Sequence, residues 1–324
     1  MTFKIRFLLP ILFVSLFIQA QTKDSLAVST QTYTINDSVS YTYPKPKFFD
    51  LIRYIPSDLA GFGKFVIQKE NLKWDALAIG STLAIIPYDQ KILDDSGKLG
   101  ERIGGWDEPS RYKRILGIEV IPTSISSGVY YFGNGNTTLL LSGFFYAVGK
   151  IGKDDYRALN TSSELIEVLL SVGVATQTIK RISGRQSPIA ATQDGGAWHP
   201  FPSISAYGSN TPNYDAMPSG HIATYMATLT VIATNYPEIK WIKPVGYTLG
   251  TALAFNMVSG KVHWTSDYPV AILIGYVIGK NAANRRITKT INPSDIVPHK
   301  TKYKTSYNYN RLYNTNLMGM TITF

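Results

Sequence analysis

Two of the four histidines in the chain stand in sequence contexts that favour chemistry at phosphorus. The run Met217–His221 reads Met-Pro-Ser-Gly-His and precedes an apolar stripe of helical spacing, so its proline and serine predict a helix N-terminus. A helix N-terminus offers free N–H groups and the positive end of a dipole, both of which bind anions. Gly220 lets the backbone approach a ligand closely. His221 beside such a site is placed to protonate a leaving oxygen.

The second histidine, His263, precedes Asp267 by four residues. If the segment turns helically, the carboxylate reaches the imidazole, fixes its tautomer and prepares its other nitrogen to attack phosphorus. The alternative is an aspartate at a helix start near an unrelated surface histidine. For this pair taken alone, the alternative is the better interpretation.

A third cluster is basic and ends an amphipathic segment, from Lys180 to Pro188. Cations at this position complement a helix C-terminus, which is a structural explanation. The functional explanation is that Lys180 and Arg185 bind phosphate oxygens, Arg185 through its bidentate fork.

The elements that must position these residues are mostly helical. Apolar residues recur every three or four positions in seven segments, namely Trp74–Pro87, Ile115–Phe132, Thr138–Gly149, Ser162–Arg181, Gly220–Asn235, Trp241–Val258 and Asp267–Asn284. Thr161 and Glu164 form a capping box, and Gly184 predicts a helix C-terminus. The sequence therefore predicts an all-α fold, a bundle of about six core helices with a flexible N-terminal leader and a short extended C-terminal tail.

The chain divides into four predicted regions. Residues 1–20 have the basic start, the apolar run and Ala20 of a signal peptide, with an uncleaved membrane anchor as the alternative. Residues 21–70 are predicted to be a partly disordered leader, residues 71–284 the helical domain, and residues 285–324 a basic tail rich in Tyr and Asn. The signal peptide predicts a cell-envelope, periplasmic location.

Composition limits the remaining classes of function. The 324 residues include no cysteine, which excludes disulfides and thiolate zinc sites. The net charge of +10 suits a phosphate-rich substrate or an anionic membrane surface, or serves solubility alone. No basic nucleic-acid-binding module is present, so we expect no nucleic-acid partner. Apolar runs shorter than about 20 residues and a mean hydropathy near zero favour a soluble or peripherally attached bundle over a membrane-spanning one.

Taken in order, the three clusters resemble the signature motifs of the type 2 phosphatidic acid phosphatase and vanadium haloperoxidase superfamily. That pattern is Lys, six residues, Arg-Pro; then Pro-Ser-Gly-His; then Ser-Arg, five residues, His, three residues, Asp. The positions that match are Lys180, Pro188, Ser219, Gly220, His221, His263 and Asp267. The resemblance covers roughly residues 74–284, and the joint order and spacing are far more specific than any one motif.

Both arginines of the superfamily pattern are missing from their positions. The first falls on Ser187, and the Ser-Arg pair falls on Asn256 and Met257. Arg185 and Lys261 lie nearby and are the candidate substitutes, although lysine is a point charge and not a fork.

The resemblance implies a metal-independent phosphatase with a phosphohistidine intermediate. His263 would be the nucleophile, Asp267 would orient it, and His221 would be the acid and base. The implied phosphate-binding residues are Lys180, Arg185, Ser219, Gly220 and Lys261. It implies no metal or organic cofactor, and a phosphate ester or lipid (pyro)phosphate as substrate.

Two other functions remain open. One is a catalytically weak or silent relative that binds lipid phosphates, and the other is a vanadium-dependent haloperoxidase. We predict that His199 is a structural loop residue and that His299 lies on the surface.

Overall fold

The computed structural model describes residues 29–104, 106, 112–115, 118–291, 304–312 and 315–323. The predicted signal peptide and His299 lie outside these residues. The described part of the chain is mainly helical, which confirms the predicted fold class. Its helices are α1 Asp50–Arg53, α2 Ile55–Ile67, α3 Leu72–Ile85, α4 Asp89–Ile103, α5 Ile125–Tyr131, α6 Gly135–Ile151, α7 Tyr156–Ser183, α8 Ile204–Ser209, α9 Gly220–Asn235, α10 Ile242–Ser259 and α11 Tyr268–Arg285.

Helices α7, α9, α10 and α11 supply most of the hydrophobic core. The closest approach is between α9 and α11, where Gly275 faces the backbone of α9. A Cβ at Gly275 would lie 2.2 Å from the carbonyl oxygen of Ala223, so only glycine permits this separation. The two helices that begin with the site motifs are therefore held at a fixed distance from each other.

Helix α7 is longer than the sequence predicted, because it begins at Tyr156 and not near the capping box. Asp155 caps it by accepting the N–H of Ala158 at 3.0 Å. It ends at Gly184, whose left-handed φ of 57° confirms the predicted C-terminus. Of the helices described, α7 alone is long and apolar enough to span a membrane, and 67% of its most apolar stretch is buried. A buried core helix of a soluble protein can have the same length and hydropathy.

The predicted helix over Ile115–Phe132 is wrong in its first half. Strands β3 Tyr112–Ile115 and β4 Ile118–Pro122 form an antiparallel pair, and only α5 is helical. The β-branched run before Pro122 favours a strand, and the proline ends it. Ser124 then caps α5 by accepting the N–H of Ser127 at 3.1 Å.

The segment predicted as a flexible leader contains regular structure from Thr30 onward. Strands β1 Thr30–Asn36 and β2 Val39–Pro44 form a hairpin, and β2 also pairs with β5 Thr288–Ile291. Tyr43 is fully buried, and its hydroxyl donates to the carbonyl of Asn235 at 3.3 Å. Helices α1 and α2 follow within the same segment, so the helical part starts at Asp50 and not at residue 71. Alternating threonines and tyrosines explain the strands.

The described part of the tail is extended, as predicted. Its first strand, β5, pairs with β2, and its other two strands pair with each other. Strands β6 Lys304–Leu312 and β7 Thr315–Thr323 form an antiparallel hairpin.

A buried ionic network lies at the C-terminal end of α11. Arg285 bonds to Asp58 and Glu167, and Arg286 also bonds to Glu167. Both carboxylates are fully buried. Asp58 also accepts the hydroxyl of Ser171 at 2.9 Å. This network joins α2, α7 and α11 at the end of the bundle opposite the three sequence motifs.

Candidate active site

Three helix ends bring the sequence motifs together, namely the C-terminus of α7 and the N-termini of α9 and α11. The N–H of Ser219 donates to the carbonyl of Asp267 at 3.1 Å, which joins the second motif to the third. The hydroxyl of Ser183 donates to the carbonyl of Met217 at 2.6 Å, which joins the first motif to the second. Residues separated by more than 80 positions thus form one cluster.

His263 and Asp267 lie side by side, as the superfamily resemblance implied. A single 3₁₀ turn, Thr265–Asp267, brings the carboxylate beside the ring, with His263 Nδ1 3.4 Å from Asp267 Oδ2. This contact is longer than a normal hydrogen bond, and both side chains are buried. The same Oδ2 accepts the N–H of Trp264 at 2.8 Å, which holds the carboxylate in place. Because Nδ1 faces the carboxylate, Nε2 is the nitrogen left for chemistry.

His221 lies across from His263, with ring centroids 5.8 Å apart. The ring of Tyr130 covers it at 4.7 Å. Burial, together with the charges of His263 and Lys180, lowers the pKa of His221 to about 3. The imidazole of His221 is therefore neutral at pH 7 when no anion is bound.

The start of α9 provides backbone donors beside these histidines. Ser219 is the N-cap residue, as predicted, and its hydroxyl accepts the N–H of Ile222 at 3.3 Å. The N–H groups of Gly220 and His221 have no acceptor among the residues that the structure describes. Two free donors and the positive end of the helix dipole make this a binding place for an oxyanion.

Lys180 brings a positive charge to the same place. Its Nζ lies 3.8 Å from the position that a Cβ on Gly220 would occupy, and the side chain is buried. Nζ also pairs with Asp215 Oδ2 at 2.9 Å, and Asp215 in turn accepts the hydroxyl of Tyr207. An ammonium group has three donors, so this pairing leaves donors for a ligand.

Arg185 does not occupy the place that the sequence analysis gave it. All five of its N–H groups bond within the protein: to Ser266 Oγ at 2.6 Å, to Asp267 Oδ1 at 2.8 Å, to Asp89 Oδ2 at 2.7 Å, and twice to the carbonyl of Gly195 at 2.8 and 3.2 Å. The side chain is fully buried. A guanidinium group with no free donor cannot bind phosphate, so we assign Arg185 to holding Asp267 and not to the phosphate site.

Asp89, which the sequence analysis did not identify, completes this arrangement. It is buried at the first position of α4, and its Oδ1 accepts the N–H of Ser266 at 3.0 Å. Its Oδ2 accepts from Arg185 and from the hydroxyl of Ser266. The result is a continuous series, Asp89–Arg185–Asp267–His263. Aspartates are common at helix starts, so nothing in the sequence separates Asp89 from an ordinary first-turn carboxylate.

Uncharged residues fill the two positions where the superfamily pattern has arginine. Met257 is fully buried in the hydrophobic core, and Asn256 donates to Ser126 Oγ at 2.7 Å. Ser187 donates its N–H to the carbonyl of Pro212 at 2.8 Å. Lys261, the other candidate substitute, is exposed on a backbone with φ of 58°. Its predicted contact with phosphate stays a prediction.

His199 is an exposed loop residue outside this cluster. Its N–H donates to the carbonyl of Gly184 at 2.8 Å, and its ring meets Tyr214 edge-on at 5.9 Å. Among the described residues, no group of three or more His, Asp and Glu side chains is arranged to hold a metal ion.

Comparison with known proteins identifies a superfamily that part of the sequence matches. Residues 163–289 match the PAP2 superfamily. No curated protein matches the sequence. A solved structure that resembles the chain is described as the first transmembrane PAP2 type phosphatidylglycerolphosphate phosphatase from Bacillus subtilis. It has 14% sequence identity and a TM-score of 0.44, over 72% of this chain and 96% of that chain. We transfer no residue role from it.

The matched segment contains Lys180, the start of α9 and the His263–Asp267 pair, and it leaves out Asp89. The resemblance read from the three motifs is thus confirmed, and residues 163–289 carry the PAP2 superfamily pattern.

Proposed function

We propose that the chain hydrolyses a phosphate ester or a lipid (pyro)phosphate through a phosphohistidine on His263. Phosphatase-type hydrolysis is what the superfamily match supports. The observation that carries the mechanism is the pairing of the buried His263 with the half-buried His221, with ring centroids 5.8 Å apart, at a helix N-terminus with free N–H donors. One of these histidines faces a carboxylate and the other does not.

In the first step, His263 Nε2 attacks phosphorus and the bond from phosphorus to the leaving oxygen breaks. The leaving oxygen needs a proton, and His221 is neutral in the free protein. A phosphate monoanion brings its own proton, which His221 accepts when the negative charge binds beside it. His221 then returns this proton to the leaving alcohol.

In the second step, His221 is neutral again and takes a proton from water. The water oxygen attacks phosphorus, the P–N bond to His263 breaks, and inorganic phosphate forms. His221 then gives its proton to the departing phosphate and is neutral again. Asp267 holds the ring of His263 in the same orientation through both steps.

The equatorial oxygens carry the charge of the transition state. The N–H groups of Gly220 and His221 and the ammonium group of Lys180 are the donors available to them. Lys261 would add a charge from the exposed side. Lys180 is the lysine of the superfamily pattern, and both arginines of that pattern are lost, so we expect a slower enzyme than the full pattern would give, by about 10²-fold for each lost donor.

An apolar cavity next to the site supports a lipid substrate. Its volume is about 240 Å³, and its lining includes Ile222, which follows His221, and Tyr268, which follows Asp267. The other lining residues belong to α9, α10 and α11 and are almost entirely apolar where they face the cavity. A hydrocarbon chain attached to a phosphate at His263 has room there.

We further propose that the protein associates with a membrane in the cell envelope. Large apolar side chains are exposed along several helices, including Trp74, Leu77 and Leu83 of α3, Leu140, Phe144 and Ile151 of α6, and Trp241 and Val245 at the start of α10. Large exposed apolar surfaces are typical of proteins that meet a membrane or a partner.

A second candidate function is lipid-phosphate binding without turnover. The observation that favours it is the loss of free guanidinium groups, because Arg185 has no free donor and the two arginine positions of the pattern hold Ser187 and Met257.

The test is phosphate release by the detergent-solubilised full chain in EDTA, with p-nitrophenyl phosphate, phosphatidic acid and undecaprenyl pyrophosphate as substrates. We expect release that persists in EDTA, is lost in His263→Ala and is kept in His199→Ala, the matched control. Acid-labile phosphate bound to the chain would identify the phosphohistidine. Folded protein that binds phosphatidic acid but releases no phosphate would refute hydrolysis and support the binding function.

A further inference from the structure

A second cavity contains two lysines and lies away from the candidate active site. Lys243 of α10 and Lys280 of α11 both line it, and its volume is about 320 Å³. Tyr41, Thr230 and Thr234 place hydroxyl-bearing side chains around the same space. Lys280 is separated from Tyr268 by about 18 Å along α11, at 1.5 Å per residue. This cavity is therefore not part of the cluster around His263.

The two lysines have no counter-charge in the described part of the chain. Neither makes an ion pair there, and the contact of Lys280 with Thr234 Oγ1 is long, at 3.4 Å. Glu238, which lies on the α9–α10 connection, is paired with Arg157 at 2.6 Å. Burial lowers the pKa of Lys280, and the charge of Lys243 lowers it further. An anion bound between the two ammonium groups would relieve this repulsion.

An apolar groove adjoins the lysine cavity. Its volume is about 580 Å³, and it shares Met226 and Tyr276 with that cavity. Its other lining includes Phe65, Trp74, Leu77 and Ile272 from α2, α3 and α11. Positive charge at one end of a long apolar groove is complementary to an amphiphile with one anionic end.

We propose that this cavity and groove bind an anionic phospholipid whose headgroup lies away from the active site. The phosphate headgroup lies between Lys243 and Lys280, and an acyl chain occupies the groove toward Trp74. Free phosphate is the weaker ligand, because each methylene of a buried chain adds about fourfold in affinity. The proposal does not depend on the proposed hydrolysis.

Binding of the full chain to vesicles tests the proposal. The vesicles contain phosphatidylcholine alone or phosphatidylcholine with phosphatidylglycerol, and the protein carries His263→Ala to prevent turnover. Each lysine near an anionic surface contributes about 1 kcal/mol, which is a little over fivefold in affinity. We therefore expect the double variant Lys243→Gln/Lys280→Met to bind anionic vesicles about thirtyfold less tightly. The matched control is Lys98→Gln/Lys150→Gln, which removes the same charge from exposed lysines paired to Asp95 and Asp154. An equal loss in both variants would overturn the proposal.

A local measurement distinguishes the site from general attraction to the membrane. The lowered pKa of Lys280 makes its amine reactive toward acetylation, and a bound headgroup should block the reaction. We expect anionic vesicles to protect Lys280 at least tenfold, while phosphatidylcholine vesicles and millimolar inorganic phosphate do not. Protection by inorganic phosphate alone, or no protection of Lys280 by anionic vesicles that bind the protein, would each overturn the proposal.

Discussion

Asp89 offers the sharpest test of the site, because it touches neither histidine and was not visible in the sequence. The substitution Asp89→Asn keeps the shape of the side chain and removes its charge. The carboxylate accepts three hydrogen bonds, from Arg185 Nη2 at 2.7 Å, from the N–H of Ser266 at 3.0 Å and from the hydroxyl of Ser266. An asparagine has one acceptor oxygen, so its amide nitrogen must face a donor.

The size of the effect follows from these contacts. Removing one partner of a buried ion pair costs about 3–5 kcal/mol of stability. Asparagine retains one acceptor oxygen, so we expect a loss of about 3 kcal/mol. Arg185 keeps its bonds to Asp267 but loses the partner that fixes its position. Removal of a group that orients a site residue through another typically costs 10–100-fold. We therefore expect kcat to fall about 10- to 100-fold, which is about 1.4–2.8 kcal/mol.

The assay compares Asp89→Asn with Asp58→Asn in the same preparation. Asp58 is also fully buried and also bonds to an arginine and a serine, but at the opposite end of the bundle. Thermal unfolding should show a similar loss of stability for both variants. Only Asp89→Asn should lower kcat and the rate of phosphohistidine formation, with KM unchanged. Equal kcat values for the two folded variants, or a normal kcat in Asp89→Asn, would refute a positioning role for Asp89.

Three further outcomes follow from the described geometry. Lys180→Met should lower kcat/KM by about 10²-fold, whereas Asp215→Asn, which frees the same ammonium group, should not; steady-state kinetics on both variants checks this. Because the pKa of His221 falls from 6.5 to about 3 on folding, the unfolded chain binds the extra proton, and stability should rise with pH across that interval. Denaturant unfolding from pH 4 to 7 should show that the free energy of unfolding depends less on pH in His221→Gln. Burial raises the pKa of Glu164 from 4.5 to about 7, so the folded chain binds the extra proton in that pH range, and this carboxyl should lower the stability as the pH rises. Glu164→Gln should remove that loss of stability. An unchanged slope of stability against pH in this variant would contradict the prediction.

Local chemistry in the sequence predicted the ends of the elements that carry the motifs. Ser219 caps α9 and Gly184 ends α7, because a hydroxyl at an N-cap and a glycine with positive φ satisfy groups within a few residues. The contact of His263 with Asp267 is also local, since one turn joins them, but only the superfamily resemblance implied it. The helix prediction over Ile115–Phe132 was wrong where β3 and β4 form. Apolar residues at helical spacing were misleading there, because β-branched residues before a proline favour a strand.

Tertiary packing decided what the basic cluster does. In the sequence, Arg185 and Lys180 are two cations near a helix end, and either can bind phosphate. In the fold, Arg185 is enclosed by Asp89, Ser266 and Asp267, which come from two distant segments, while Lys180 lies beside Gly220. A charge can be buried only where its donors are satisfied. Whether Lys180 or Arg185 is free to bind a ligand therefore depends on contacts between residues more than 80 positions apart. Spacing along the chain does not predict those contacts.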